Sequence, residues 1–83
     1  MMTNSLTQGF LYHLINDVKI GNTLLRKGLN VVYTSGGYSP YDDCYIYQFM
    51  NSLGENIICV SLLELTTDDV KNFQRVDTLS DIK

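Results

Sequence analysis

Positive charge, histidine and cysteine are all scarce in this chain, and each shortage closes a class of function. Six lysines and arginines stand against nine acids, giving a formal net charge of -3 over 83 residues. Phosphate recognition draws on a basic field, so a nucleic-acid partner is disfavoured and an acidic membrane is not expected as one. One histidine and two cysteines, far apart in the chain, do not make a zinc ligand set, and no metal is expected. No apolar run approaches the roughly 20 residues that span a bilayer. No basic segment precedes the short apolar stretch near the N-terminus and no small-residue cleavage site follows it, so a cytoplasmic location is expected. Repeats, low-complexity tracts and linkers are also missing. The chain therefore reads as one small domain, 1–83, with Thr78 to Lys83 fraying. At this length roughly 60% of the unfolded surface is buried, and stability is on the order of 5 kcal/mol.

What the chain does have is a stretch that is apolar on both faces. Cys44 to Leu65 reads as two strands joined by Ser52-Leu53-Gly54-Glu55, where Gly54 supplies the positive φ of a hairpin loop. A four-residue loop sets Phe49 against Ile58, Tyr47 against Val60 and Tyr45 against Leu62. The reverse face then pairs Met50 with Ile57, Gln48 with Cys59, Ile46 with Ser61 and Cys44 with Leu63. A hairpin with one wet face alternates apolar with polar, and this one barely does, so both faces need a cover. A second copy of the chain is one such cover, and a homo-oligomer, most simply a dimer, is expected. In this register Cys44 and Cys59 share a face but are offset by four residues, which predicts two buried free thiols.

Helices are the other covers. From Asn4 to Val18, Leu6, Phe10, Leu11, Leu14, Ile15 and Val18 recur at steps of three and four, with Asn4 or Ser5 as the cap. A competing reading pairs Phe10–Ile15 with Val18–Leu24 as a hairpin across Asn16-Asp17. The helix is preferred because its six apolar residues fall within one half of the wheel. Val18–Ile20, Thr23–Arg26 and Leu29–Thr34 read as strands separated by the turn signals Gly21-Asn22 and Lys27-Gly28. Ser35 to Asp43 reads as a long irregular loop, with Gly36-Gly37 loosening it and Pro40 holding Ser39 extended. Thr66-Thr67-Asp68-Asp69 opens a second helix with a capping box, running to Arg75 or Val76. The expected class is α+β: a small antiparallel sheet, or a small barrel, flanked by an N-terminal helix and a short C-terminal helix. Short strands, tight turns and a glycine-rich loop resemble the layout of SH3-like barrels, in architecture and not in any residue motif.

Chemistry is sparse along this order. His13 sits at the margin of the apolar stripe with no partner to orient it. Buried thiols are inert nucleophiles. Asp42 and Asp43 are adjacent, so on an extended segment they point apart. Gly36-Gly37 precedes neither a lysine nor a helix, so it is no phosphate loop. No catalytic residue and no cofactor are expected. Tyr38, Tyr41, Asp42 and Asp43 form the candidate partner-binding set, with Tyr33, Tyr45 and Tyr47 on or beside the flanking strands. Tyrosine gives large contact area with few rotatable bonds. The bland alternative assigns Tyr33, Tyr45 and Tyr47 to the core and Tyr38 and Tyr41 to an ordinary loop. A sharper one makes tyrosines and carboxylates an aromatic cage for a cation, as in Tudor-like barrels. The expected function is a small non-enzymatic protein-binding module: an adaptor, assembly factor or inhibitor of the kind phages and mobile elements carry to modulate a host protein. The alternative is a nucleic-acid or nucleotide binder using Lys19, Arg26 and Lys27, which otherwise read as a solvated strand edge or turn.

Overall fold

The helical spacing near the N-terminus does not make a helix. A computed structural model describes residues 6–76, and there Leu11–Leu14 is the first strand, β1, with Tyr12 and Leu14 inward and Leu11 and His13 half-buried. Gly9 at φ 87° and a turn closed by the Phe10 N–H on the Thr7 carbonyl precede it. The helical spacing of Leu11 and Leu14 hides an alternation of two, in which Tyr12 and Leu14 are the inward pair. The strand wins because both its edges find partners, Asn30–Ser39 on one side and Phe73–Val76 on the other. The competing hairpin fails as well, since β1 does not pair with the strand that follows it. Asn4 and Ser5, the expected caps, lie outside the described residues, as do Thr78 to Lys83.

Seven strands and one short helix follow in the order β1, β2 (Val18–Ile20), β3 (Thr23–Leu25), β4 (Asn30–Ser39), β5 (Cys44–Asn51), β6 (Asn56–Ser61), α1 (Thr67–Val70) and β7 (Phe73–Val76). Five of them form one antiparallel sheet, β6-β5-β4-β1-β7, and β2 with β3 forms a separate two-stranded ribbon. This overturns the expected α+β class: among the described residues no N-terminal helix flanks a sheet or an SH3-like barrel, and the regular structure is strand apart from one turn of helix. The C-terminal helix is real but brief. Thr66 and Asp69 close the capping box reciprocally, as expected. The helix then stops at one turn, where the Asn72 side chain bonds the Asp68 carbonyl and Phe73 pairs with Leu14 on β1. Among the described residues no helix is long and apolar enough to cross a membrane.

The central hairpin forms, with a register one residue away from expectation. Asn51 is the cause. Its N–H donates to the Glu55 carbonyl at 2.9 Å, and its Oδ1 accepts from the N–H groups of Leu53 and Glu55 at 3.0 and 2.9 Å. The loop is therefore residues 52–54, closed by Gly54 at φ 80°. Phe49 pairs with Ile57, Tyr47 with Cys59 and Ile46 with Val60. A one-residue slip turns every side chain of the strand over. Ile58 and Val60, expected inside, are 55% and 50% exposed, and Cys59 is buried in their place. Both cysteines are free and buried, as expected, but alternation now puts them on opposite faces of the hairpin.

Each of the seven strands contributes to one core: Tyr12 and Leu14, Val18 and Ile20, Leu25, Val31 and Tyr33, Tyr47 and Phe49, Cys59, and Phe73. The sheet is far from flat. Phe49 on β5 and Phe73 on β7 stack with ring centroids 5.6 Å apart and planes 12° from parallel. Two strands lie between theirs, so a flat sheet would hold them about 14 Å apart at roughly 4.8 Å per strand. The sheet curls until the rings meet, and Val18, Ile20 and Leu25 of the β2–β3 ribbon fill the open side.

Phe49→Ala removes the middle of this core and should cost about 3–5 kcal/mol, whereas Ile58→Asn on the outer face should cost less than about 1 kcal/mol. Urea melts of the two variants check this. The reverse ranking would restore the four-residue loop.

Candidate functional site: a tyrosine-lined cleft

The expected glycine-rich loop is strand. β4 continues through Gly36 and Gly37 to Ser39 opposite β5, leaving only residues 40–43 as the turn. Between Tyr33 and Ser35 the register shifts by one: Tyr33 pairs with Phe49, but Ser35 pairs with Gln48. Thr34 is the extra residue, and its Oγ1 donates to the Gln48 carbonyl at 3.0 Å. A bulge of this kind re-aims every side chain beyond it. Gly36 then stands opposite Tyr47 and Tyr38 opposite Tyr45, so Tyr33, Gly36 and Tyr38 share the face of Tyr45 and Tyr47. Without the bulge Tyr33 and Tyr38, five residues apart, would point to opposite sides.

These four tyrosines line an open cleft of about 470 Å³. Its floor is Gly36, where a Cβ would overlap the Tyr33 hydroxyl and press on the Tyr47 ring. Only glycine leaves room for both rings to cross the backbone there. The Tyr38 and Tyr45 rings stand edge to face, 5.4 Å between centroids and 62° between planes. The opposite wall comes from the segment leading into α1, with Glu64, Leu65 and Val70. It is tied to the tyrosines by the Leu65 N–H, which donates to the Tyr47 hydroxyl at 2.8 Å. Glu64 is the one charged residue of the described lining.

Three of the phenols, Tyr33, Tyr38 and Tyr47, ionise less readily than usual. Burial pushes Tyr33 above its ordinary 10.0, with smaller contributions from Tyr47 and Tyr12. Burial also raises Tyr47, with Glu64 and Tyr45 adding to it and the Leu65 N–H opposing it. Tyr38 is raised chiefly by the hydrogen bond that it donates to Asp43.

Of the residues singled out from the sequence, Tyr38 lines the cleft. Tyr41 does not: it stands 98% exposed at the tip of the hairpin. Asp42 and Asp43 hold that turn together, Asp42 accepting from the Ser39 hydroxyl at 3.2 Å and Asp43 from Tyr38 with its own backbone at φ 51°. The structure thus brings Tyr38 and Asp43 into contact and gives the two carboxylates different partners. Tyr33, Tyr45 and Tyr47 form the body of the site, although the sequence marked them only as neighbours, and Glu64 gave no signal at all. Lys19 lies on β2, while Arg26 and Lys27 lie just beyond β3, where the Lys27 N–H donates to the Asp17 carboxylate at 2.7 Å. That acid precedes the three cations in sequence and holds the backbone of one of them. His13 shares a 2.7 Å hydrogen bond between Nδ1 and Asn30 Oδ1. Burial raises the Cys59 thiol, against a hydrogen bond from Thr23 that lowers it. Among the described residues no group of three or more histidine, cysteine or acidic side chains stands close enough to hold a metal. No family model, curated protein or solved structure matches the chain.

A group that ionises less readily when folded stabilises the fold fully below its unfolded value and loses that contribution as pH rises through the folded one. Tyr33, Tyr38 and Tyr47 all have raised folded values. Their contribution to stability should therefore be flat below about pH 9 and fall above about pH 10. Urea melts across that range, with phenolate absorbance followed in parallel, check it. A stability that rises through the same window would contradict the assignment.

Proposed function

We propose that this domain is a non-enzymatic protein-binding module that holds a segment of a partner protein in the tyrosine-lined cleft. The observation that carries the reading is four tyrosines on two paired strands around one open volume of about 470 Å³. That volume falls within the roughly 300–1,000 Å³ of small-ligand and side-chain pockets. Rings mounted on strands lose little rotamer freedom on contact, which is why tyrosine concentrates at interface hot spots. Tyr41, at the hairpin tip beside the Asp42 and Asp43 turn, offers a further contact outside the cleft. Adaptor, assembly and inhibitor roles, including modulation of a host protein by a phage protein, all suit such a module.

Two further parts belong to the proposal. Self-association is supported by the outer face of the β5–β6 hairpin, where Met50, Ile58 and Val60 remain exposed with Leu62 and Leu63 beyond them. A reducing compartment, the cytoplasm, is supported by the free Cys44 and Cys59 thiols. The nucleic-acid alternative through Lys19, Arg26 and Lys27 is less well supported, because a chain with a net charge of -3 makes no basic field for phosphate.

Affinity capture with three baits decides between the readings. A protein captured by the wild-type domain should be lost to Tyr45→Ala, at a cost of about 2 kcal/mol, and kept by a variant with Lys19, Arg26 and Lys27 all replaced by alanine. Salt-sensitive retention on a phosphate matrix, abolished by the triple variant, would favour the alternative instead. Sedimentation equilibrium should give a species heavier than 9.4 kDa, and a clean monomer would remove self-association from the proposal.

A further inference from the structure

We infer that the cleft takes a cation: the ammonium of a lysine side chain, methylated or not, presented by the partner protein. The inference rests on the reading of the cleft as a protein-binding site and names what that site recognises. Charge is the first argument. Among the described residues Glu64 is the only charged one in the lining, and the chain as a whole carries a net charge of -3. An anionic group entering there would meet a carboxylate and no counter-charge, whereas an ammonium meets its complement.

The rings supply the second argument. An ammonium is attracted to the face of a phenol ring within about 6 Å of its centre. The 62° angle between Tyr38 and Tyr45 makes two walls of a corner, where parallel rings would hide their faces in each other. Tyr33 and Tyr47 cross over Gly36 at the bottom. Tyr38 donates its phenolic proton outward to Asp43, which enriches the ring in electron density and places a carboxylate behind it. The Tyr47 hydroxyl accepts from the Leu65 N–H, which ties the end of that ring to the chain entering α1.

Depth is the third. A lysine reaches its charge through four methylenes, and the open cleft of about 470 Å³ has the aliphatic Leu65 and Val70 in its lining beside the tyrosines to take that stem. An arginine fork or a carboxylate gains less here: the described lining holds no second acid to engage a guanidinium on both arms.

The test is an NMR titration of the full chain with four peptides identical except at the central residue, which is lysine, trimethyl-lysine, norleucine or glutamate. The lysine or trimethyl-lysine peptide should shift the amide signals of Tyr38, Tyr45, Tyr47 and Glu64 and bind at least about 10-fold more tightly than the norleucine peptide. Glu64→Gln, a change at an exposed position that keeps the spectrum dispersed, should reduce that preference several-fold, and added salt should do the same. Equal binding of the norleucine peptide overturns the cation. So does the absence of any shift at those four amides up to ~10 mM of either cationic peptide. Loss of a captured protein on Tyr45→Ala would in that case still uphold the module, while capture indifferent to Tyr45→Ala sinks the module on its own.

Discussion

Phe49 and Phe73 meet across two intervening strands, and most of the structure follows from the curl that this contact demands. A stacked aromatic pair is worth about 0.5–1.5 kcal/mol beyond the area it buries. Here it also decides shape. Once β7 is drawn over towards β5, the sheet acquires a concave side, and Tyr12, Leu14, Val31 and Tyr33 converge there. A sheet of five strands cannot fill its own hollow, and the β2–β3 ribbon supplies Val18, Ile20 and Leu25 to complete it. The backbone of that ribbon's turn lies hard against the Val60 carbonyl, where a Cβ on Gly21 would collide. The core is thus closed by strands alone, without the two helices that the two-sided hairpin suggested.

The cleft is where this closed arrangement opens. Thr34 interrupts the ladder between β4 and β5, and beyond it the same strands that built the core present tyrosines around a glycine. Two glycines inside a strand weaken it, since they add backbone entropy and no packing. The outlay is recovered locally: Tyr38 packs edge to face on Tyr45 and bonds Asp43, while Tyr47 anchors the chain entering α1. A site on paired strands is held more rigidly than one on a loop. The Asp42–Asp43 turn, which looked like the heart of a binding loop, serves as the clamp that closes this rigid end.

What was legible in the sequence was what short-range chemistry decides. The capping box spans four residues, Thr66 to Asp69, and formed as read. β4 and β5 announced themselves by β-branched and aromatic runs, and Gly54 by the left-handed turn it closes. What was not legible depended on partners far along the chain. Leu11 and Leu14 share a helix face but not a strand face, and only the pairing with β4 and β7 selects the strand. The helix after Thr66 had no internal reason to stop, yet Phe73 was needed beside Leu14 and opposite Phe49. In the hairpin a single asparagine drew Glu55 out of the loop and turned Ile58 and Val60 outwards. Tyr38 was marked from the sequence, but its alignment with Tyr33, Tyr45 and Tyr47 required a bulge that no composition reveals.

The central claim is that this bulge places four tyrosines on one face around Gly36. Cross-strand nuclear Overhauser effects measure it most directly. The account predicts contacts pairing Gly36 with Tyr47 and Tyr38 with Tyr45, together with contacts from the Tyr33 ring to Gly36. An uninterrupted ladder, with Gly36 opposite Ile46 and Tyr38 opposite Cys44, would scatter the tyrosines to both faces and contradict it.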